Sequence, residues 1–146
     1  MKLVLYIHQI EDLKKATSAV QAMMKTSKNI ILLNGDLGAG KTTFVVEFCK
    51  LYQLHASSPT FSLIQDYHNE NIKISHVDLY RLNNDSEIDS SGFWDLFSHD
   101  YNVIFIEWSV KLNENDLPVD WTILNLNFRK TGESQREITI TKQLFR

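Results

Sequence analysis

The sequence is poor in cysteine, proline and glycine, with one, two and five of them among 146 residues. The lone cysteine, Cys49, excludes an internal disulfide framework, and a reducing compartment is its simplest setting. No apolar run approaches the ~18 residues that a membrane-spanning helix needs. The apolar run at residues 3–7 is also shorter than the ~7 to 15 residues of a signal-peptide core. We therefore expect a cytoplasmic protein without a membrane segment.

An excess of basic charge is also missing. The chain carries 15 Lys and Arg against 18 Asp and Glu, which gives a formal net charge of -3. Because binding to a nucleic-acid backbone depends on clustered positive charge, this balance disfavours direct RNA binding. Contents of 43% hydrophobic and 23% charged residues are typical of a folded globular protein. At this length we expect a single domain over residues 1–146.

Strand and helix patterns alternate along the chain. Residues 29–34 (NIILLN) and 103–107 (VIFIE) are continuous apolar runs, which is typical of strands buried on both faces of a sheet. Apolar residues at helical spacing predict one helix around residues 13–24 and another over residues 41–52. The remaining predicted strands cover residues 3–7, 61–67, 72–77, 122–127 and 137–141.

A third, short helix is predicted near Ser86. Ser86 and Asp89 have the spacing of a capping box, in which each side chain bonds a backbone N–H at the helix start. The apolar residues assigned to this helix are Ile88, Phe93, Leu96 and Phe97.

Residues 35–43 contain a phosphate-binding motif. Gly35, Gly40, Lys41 and Thr42 occupy the fixed positions of the pattern G-x-x-x-x-G-K-[ST], between a predicted buried strand and a predicted helix. Backbone N–H groups of such a loop bind nucleotide phosphates, while the lysine contacts the β and γ phosphates and the hydroxyl contacts Mg²⁺. The sequence therefore predicts an α/β, P-loop NTPase-like domain with a central mixed sheet flanked by helices. Its predicted nucleotide-binding residues are Gly35, Asp36, Leu37, Gly38, Ala39, Gly40, Lys41, Thr42 and Thr43.

Two acidic residues end predicted strands. Asp78 closes the run IKISHVD and Glu107 closes VIFIE, and the ends of strands are where an open α/β sheet presents its ligand site. A phosphate-binding loop of this kind needs an acid near Mg²⁺ and a group that orients the attacking water. Both carboxylates are candidates for these roles, and a solvated surface carboxylate is the alternative for either.

Two other side chains near these motifs have simpler interpretations. His76 lies two residues before Asp78 and could couple to the site, although a packed or hydrogen-bonded core histidine is the simpler interpretation. Cys49 lies beside Phe48 in the predicted helix, and we expect a buried, inert thiol. No spacing of histidine and cysteine indicates a zinc site.

Four motifs together carry a family resemblance. The runs GDLGAGKTTF, SSPTFSLIQDY, HVDLYRL and IEWS, in this order and spacing, resemble the TsaE family, the bacterial P-loop ATPase of threonylcarbamoyladenosine tRNA modification. The resemblance implies an ATPase that works with two partner proteins, TsaD and TsaB. These transfer the threonylcarbamoyl group onto adenosine 37 of tRNAs that read ANN codons, so tRNA would be reached through the complex.

The resemblance also implies roles for individual residues. Thr42 and Glu107 would contact Mg²⁺, and Asp78 would act as the Walker-B-like acid. Residues 58–60 would form a nucleotide-sensing loop, and Trp108 would adjoin the site. The predicted catalytic residues are Lys41, Asp78 and Glu107, the metal ligands are Thr42 and Glu107, and the cofactors are ATP and Mg²⁺.

Other functions remain open at this point. A small-molecule kinase would share the loop, but such enzymes close several arginines over the transferred phosphoryl group. This chain has four arginines that do not cluster; Arg81 could bind a partner, a phosphate or a surface carboxylate, and Arg129 and Arg136 could reach a nucleotide only if the fold allows it. A GTPase is disfavoured because an N-K-x-D motif is missing. A nucleotide-gated binding module without useful hydrolysis is a further alternative.

Overall fold

The computed structural model describes residues 1–56 and 63–143, which form one mixed sheet with helices on both faces. Within these residues the strand order is β1-β7-β6-β2-β5-β4-β3. The strands are β1 (Lys2–Ile7), β2 (Asn29–Gly35), β3 (Ile64–His68), β4 (Lys73–Asp78), β5 (Val103–Glu107), β6 (Thr122–Lys130) and β7 (Arg136–Lys142). The helices are α1 (Ile10–Met23), α2 (Lys41–Lys50) and α3 (Asp85–Ser90). Short 3-10 turns occupy Trp94–Ser98, Ser109–Lys111 and Glu114–Asp116.

The four central strands, β6, β2, β5 and β4, run parallel to one another. β2 and β5 lie in the interior of the sheet, and each side chain of β5 and the first five of β2 are buried. This arrangement explains their continuous apolar sequences, because a strand covered on both faces has no solvent side for polar residues. β1, β7 and β3 join the sheet in antiparallel pairs at its two sides.

Two hydrophobic cores lie on opposite faces of the sheet. On the face that carries α1 and α2, Phe44 and Phe48 of α2 make edge-to-face contacts with Phe105 of β5. On the other face, Phe97 of the first 3-10 turn packs edge-to-face on Trp121. The predicted α/β class, with a central mixed sheet flanked by helices, is confirmed. No helix in the described ranges is long and apolar enough to cross a membrane.

The prediction for the third helix was wrong in its cap and its length. α3 begins after Asn84, whose Oδ1 accepts the backbone N–H of Glu87, so the capping pair lies upstream of the predicted Ser86 and Asp89. α3 ends at Ser90, where the Ser91 hydroxyl donates to the carbonyl of Ile88 at 2.6 Å and competes with further helical bonds. Of the four predicted apolar residues only Ile88 lies in α3; Phe93 is the N-cap of the following 3-10 turn, and Leu96 and Phe97 lie within that turn.

Gly35, the last residue of β2, packs against the neighbouring strand β6. It pairs with Phe128, and a Cβ atom at Gly35 would stand 2.5 Å from the carbonyl oxygen of Phe128. Its φ of +144° also lies in a region that side chains rarely adopt. A glycine is therefore required for β2 to keep its place beside β6 at the point where the phosphate-binding motif begins.

We predict that Gly35→Ala destabilises the fold by about 1 to 3 kcal/mol, because the clash is with a backbone atom that cannot rotate away. Urea unfolding followed by circular dichroism would measure the change. Gly132→Ala is the matched control, since its Cβ would meet Gln135 at an ordinary 3.5 Å, and its effect should stay within about 0.5 kcal/mol. Equal stability of the two variants would contradict the packing argument.

Candidate nucleotide site

Residues 35–43, here called the glycine loop, run from the last residue of β2 through the connecting turn into the first turn of α2. The N-cap of α2 is Gly40, whose φ of 101° lies in the left-handed region. Within the loop, Ala39 N–H donates to the Asp36 carbonyl at 3.1 Å, and Phe44 N–H donates to the Gly40 carbonyl at 3.0 Å as the first helical bond of α2. The start of α2 opens on a pocket of about 250 Å³ whose lining includes Lys41, Thr42, Asp78, Glu107 and Trp108. The structure thus brings six of the nine predicted loop residues and both predicted acids to one pocket, whereas Gly35, Asp36 and Ala39 do not line it.

Lys41 is a buried cation at the start of α2. Its Nζ donates to the Gly35 carbonyl at 2.5 Å and lies 4.1 Å from the centre of the Trp108 ring. Burial lowers the pKa of the Lys41 ammonium below its ordinary value, and the negative charges of Glu107, Asp78 and Asp36 act against that shift. The ammonium is held by a backbone dipole and an aromatic face, with carboxylates at longer range.

Glu107 joins two elements of the site through one oxygen. Its Oε2 accepts a hydrogen bond from the Thr42 hydroxyl at 3.1 Å and contacts Nε2 of His76 at 2.5 Å. Glu107 is only 3% exposed and His76 only 1% exposed. His76 is therefore buried, as the simpler interpretation held, and it is also coupled to the candidate site.

Asp78 lies beside Glu107 at the edge of the sheet. The two residues are opposite each other in the parallel register of β4 and β5. Asp78 Oδ1 accepts the backbone N–H of Tyr80 at 3.0 Å, which holds the turn that follows β4. Within residues 1–56 and 63–143, no three His, Cys, Asp or Glu side chains form a cluster able to hold a metal ion by themselves.

Trp108 adjoins the site, as the resemblance implied. It has a left-handed backbone, with φ 62° and ψ 38°, and its ring packs on Tyr80 at a centroid distance of 4.9 Å. The next residue, Ser109, donates its hydroxyl to Asn34 Oδ1 at 2.5 Å, which ties the turn after β5 to the end of β2. This turn places the indole ring over Lys41.

A second cavity, of about 260 Å³, lies on the other side of the glycine loop. Gly40 and Thr43 form part of its wall, and most of its other lining is apolar: Ile7, Ile10, Leu13, Phe128 and Ile138. The β1–α1 junction that contributes to this wall carries no recognisable motif, so the sequence did not indicate it.

The structure separates the roles of the two late arginines. Arg136 lines the second cavity and donates through Nη2 to the Gly38 carbonyl at 3.1 Å. Arg129, by contrast, is exposed and pairs with Glu137 at 2.8 Å. The predicted nucleotide-sensing segment, residues 58–60, lies outside the described residues. Cys49 is buried, and burial raises the pKa of its thiol to about 12, which agrees with an inert thiol.

Comparison with known proteins identifies relatives over most of the chain. Residues 7–138 match the family model of the threonylcarbamoyl adenosine biosynthesis protein TsaE. A tRNA threonylcarbamoyladenosine biosynthesis protein TsaE from Rickettsia felis is 36% identical over 139 residues, which cover 93% of this chain and 78% of that protein. The Bacillus subtilis protein of the same name is 34% identical over 129 residues, covering 87% and 78%. The crystal structure of Bacillus subtilis YdiB matches with a TM-score of 0.72 at 27% identity, over 97% of this chain and 86% of that one.

We predict that ATP changes the fluorescence of Trp108, because bound phosphates would draw the Lys41 ammonium away from the indole ring and break a contact worth ~0.5 to 2 kcal/mol. Titration of the wild-type protein with ATP and Mg²⁺ should give a saturable change in emission. Trp108→Phe should lose this change. Trp94→Phe and Trp121→Phe are controls that should retain it, since Trp94 donates to Asp89, Trp121 packs on Phe97, and neither ring lines the phosphate pocket. A full response in Trp108→Phe would contradict the assignment.

Proposed function

The chain belongs to the TsaE family of tRNA threonylcarbamoyladenosine biosynthesis, and on this basis we propose that it is a Mg²⁺-dependent ATPase. The observation that carries the proposal is the meeting of Lys41, Thr42 and Glu107 in one pocket at the start of α2. A lysine, a hydroxyl and a carboxylate are the groups with which phosphate-binding loops hold a nucleoside triphosphate and its metal ion.

Lys41 and the glycine loop would bind the phosphates. In the structure the ammonium contacts a carbonyl oxygen and an aromatic face, neither of which carries a full negative charge. The β and γ phosphates carry full charges, so they would compete effectively for the ammonium. The first N–H groups of α2 would add the dipole of the helix N-terminus on the same side.

Thr42 and Glu107 fit a magnesium ion. Their side-chain oxygens are 3.1 Å apart beside the loop, and both are hard ligands of the type that Mg²⁺ prefers. Mg²⁺ usually takes one or two carboxylates and completes its shell with phosphate oxygens and water, so a cluster of three protein acids is not needed. When bound, Mg²⁺ would neutralise charge that develops on the phosphates.

The second cavity suits the nucleoside. It lies across the glycine loop from the phosphate pocket, it is mainly apolar, and Gly40 and Thr43 line both. Burying a planar base against this apolar lining is favourable because it removes apolar surface from water, and Phe128 offers an aromatic surface for contact. Arg136 bonds the Gly38 carbonyl at this boundary and would hold the loop between base and phosphates.

Asp78 would serve as the second acid of the reaction. Asp78 lies beside Glu107 at the strand ends. Glu107 would be the carboxylate near Mg²⁺, and Asp78 would lie further along the same edge of the sheet. A carboxylate in this position can accept a hydrogen bond from the attacking water and orient it. Lys41, Asp78 and Glu107 would then form the catalytic set that the sequence predicted.

TsaD and TsaB would be the partner proteins for which the chain hydrolyses ATP, and tRNA would be bound through their complex. The outer rim of the phosphate pocket is apolar and open: Leu37 of the glycine loop is 68% exposed and Tyr80 is 48% exposed. Exposed apolar residues at the rim of a pocket are typical of a surface that a partner protein covers. Such a partner could reach the γ phosphate directly.

We predict that Glu107→Gln lowers Mg²⁺-dependent hydrolysis about 10- to 100-fold, because it removes the charge that the metal needs while keeping the size of the side chain. ATP affinity measured without divalent metal should change much less. Phosphate release and calorimetry would be compared in the same preparations, with Lys41→Ala as the variant impaired in both. If Asp78→Asn abolishes metal dependence and Glu107→Gln does not, the roles of the two acids are exchanged.

A second prediction concerns the partners. The arginine seen at the glycine loop, Arg136, lies on the side of the second cavity, so we expect a partner to supply the arginine that would act beside Lys41 and Mg²⁺ at the γ phosphate. A group supplied in trans accelerates hydrolysis by ~10³ to 10⁵ in GTPases. We therefore predict slow hydrolysis by the isolated protein and a large increase when TsaD and TsaB are added.

Steady-state phosphate release would be measured for the protein, for the TsaD–TsaB complex and for the mixture. The mixture should exceed the sum of its parts, and Lys41→Ala in the mixture should not. A mixture no faster than that sum would favour a nucleotide-gated binding module. Rapid transfer to a small hydroxyl acceptor by the protein alone would favour a kinase.

A further inference from the structure

We propose that His76 is a positioning residue that orients the Glu107 carboxylate toward the metal-nucleotide. The inference rests on the proposed function and extends it to a residue outside the glycine loop and the two strand-end acids. Its basis is the 2.5 Å contact between His76 Nε2 and Glu107 Oε2, made between two side chains that are both almost completely buried.

The sheet explains why these two side chains meet. His76 of β4 pairs with Phe105 of β5, and Glu107 comes two residues later on the same face. A long side chain can reach such a diagonal neighbour across a strand pair. Backbone pairing of β4 on both sides, with Gln65 of β3 and Phe105 of β5, holds the histidine in place.

Glu107 needs a hydrogen-bond donor besides Thr42, because the Thr42 hydroxyl is also proposed to contact the metal. The Thr42 hydroxyl donates to the same Oε2. Thr42 belongs to α2, whereas His76 belongs to the sheet. A carboxylate in the ionised form that binds a metal accepts hydrogen bonds and does not donate them, so His76 Nε2 is the donor whenever Glu107 serves as a metal ligand. His76 thus anchors Glu107 to the rigid part of the fold.

Removing a residue that hydrogen-bonds a metal ligand without touching the metal typically weakens metal binding 10- to 100-fold. A histidine that only filled space in the core would instead affect stability, and its loss would leave the metal affinity of folded protein unchanged. The position of one nitrogen atom distinguishes the two roles, because only a donor at the Nε2 position reaches Glu107.

Glutamine and asparagine provide a matched pair of substitutions. In His76→Gln the amide nitrogen can stand where Nε2 stands, and in His76→Asn it stands one bond short, near the Nδ1 position. Both variants keep a buried amide of similar chemistry. Ser75→Ala is the control for disturbance of β4, since Ser75 is equally buried and its side chain points to the opposite face of the sheet.

The test is the affinity of each variant for Mn²⁺ in the presence of ATP, measured by electron paramagnetic resonance. The affinity for ATP without metal would be measured by calorimetry. We expect His76→Asn to bind Mn²⁺ at least about tenfold more weakly than wild type, and His76→Gln and Ser75→Ala to stay within about threefold. ATP affinity without metal should change less than about threefold in all three.

Two results would overturn the positioning role: tight Mn²⁺ binding by His76→Asn, or equally weak binding by His76→Gln and His76→Asn. Thermal unfolding of each variant would show whether the protein is folded under the assay conditions. If wild-type protein binds ATP without any dependence on Mn²⁺, the proposed function fails, and the positioning role fails with it.

Discussion

Leu33 of β2 lies opposite Glu107 of β5 in a parallel register, two residues before the glycine loop begins. In the same way Asp78 of β4 lies opposite Glu107. Parallel strands end at the same edge of a sheet, so this register brings a loop and two acids together although they are far apart in sequence. On its other side β2 pairs closely with β6, and a Cβ atom at Gly35 would stand 2.5 Å from the Phe128 carbonyl oxygen.

These pairings also show what could be predicted from the sequence. β2 and β5 were predictable because a strand that is buried on both faces has an unbroken apolar sequence, and both strands are confirmed. The family was predictable because each of its four motifs is a short continuous stretch of sequence, and it is confirmed as well. The cap of α3 was predicted wrongly, because Ser86 and Asn84 both have suitable side chains and only the path of the chain selects between them. The role of the motif residues in binding ATP stays a prediction.

Contacts that depend on the order of strands in the sheet could not be predicted from the sequence. The bond between His76 and Glu107 needs β4 to lie beside β5, and the sequence pattern of a strand does not name its neighbour. Likewise the alternation along β6 and β7 does not reveal that Arg136 reaches the glycine loop while Arg129 pairs with Glu137. The second cavity depends on β1, β6, β7 and α1 at once.

The buried charges of the site constrain one another. Lys41 and Glu107 are both nearly inaccessible to water, and an isolated charge in such a place costs several kcal/mol. Lys41 is stabilised by the Gly35 carbonyl, the Trp108 ring and the nearby carboxylates, while Glu107 is stabilised by Thr42 and His76. On the proposed function, a nucleotide would exchange the contacts of Lys41 for phosphate oxygens, while Glu107 would stay hydrogen-bonded to His76 of the sheet.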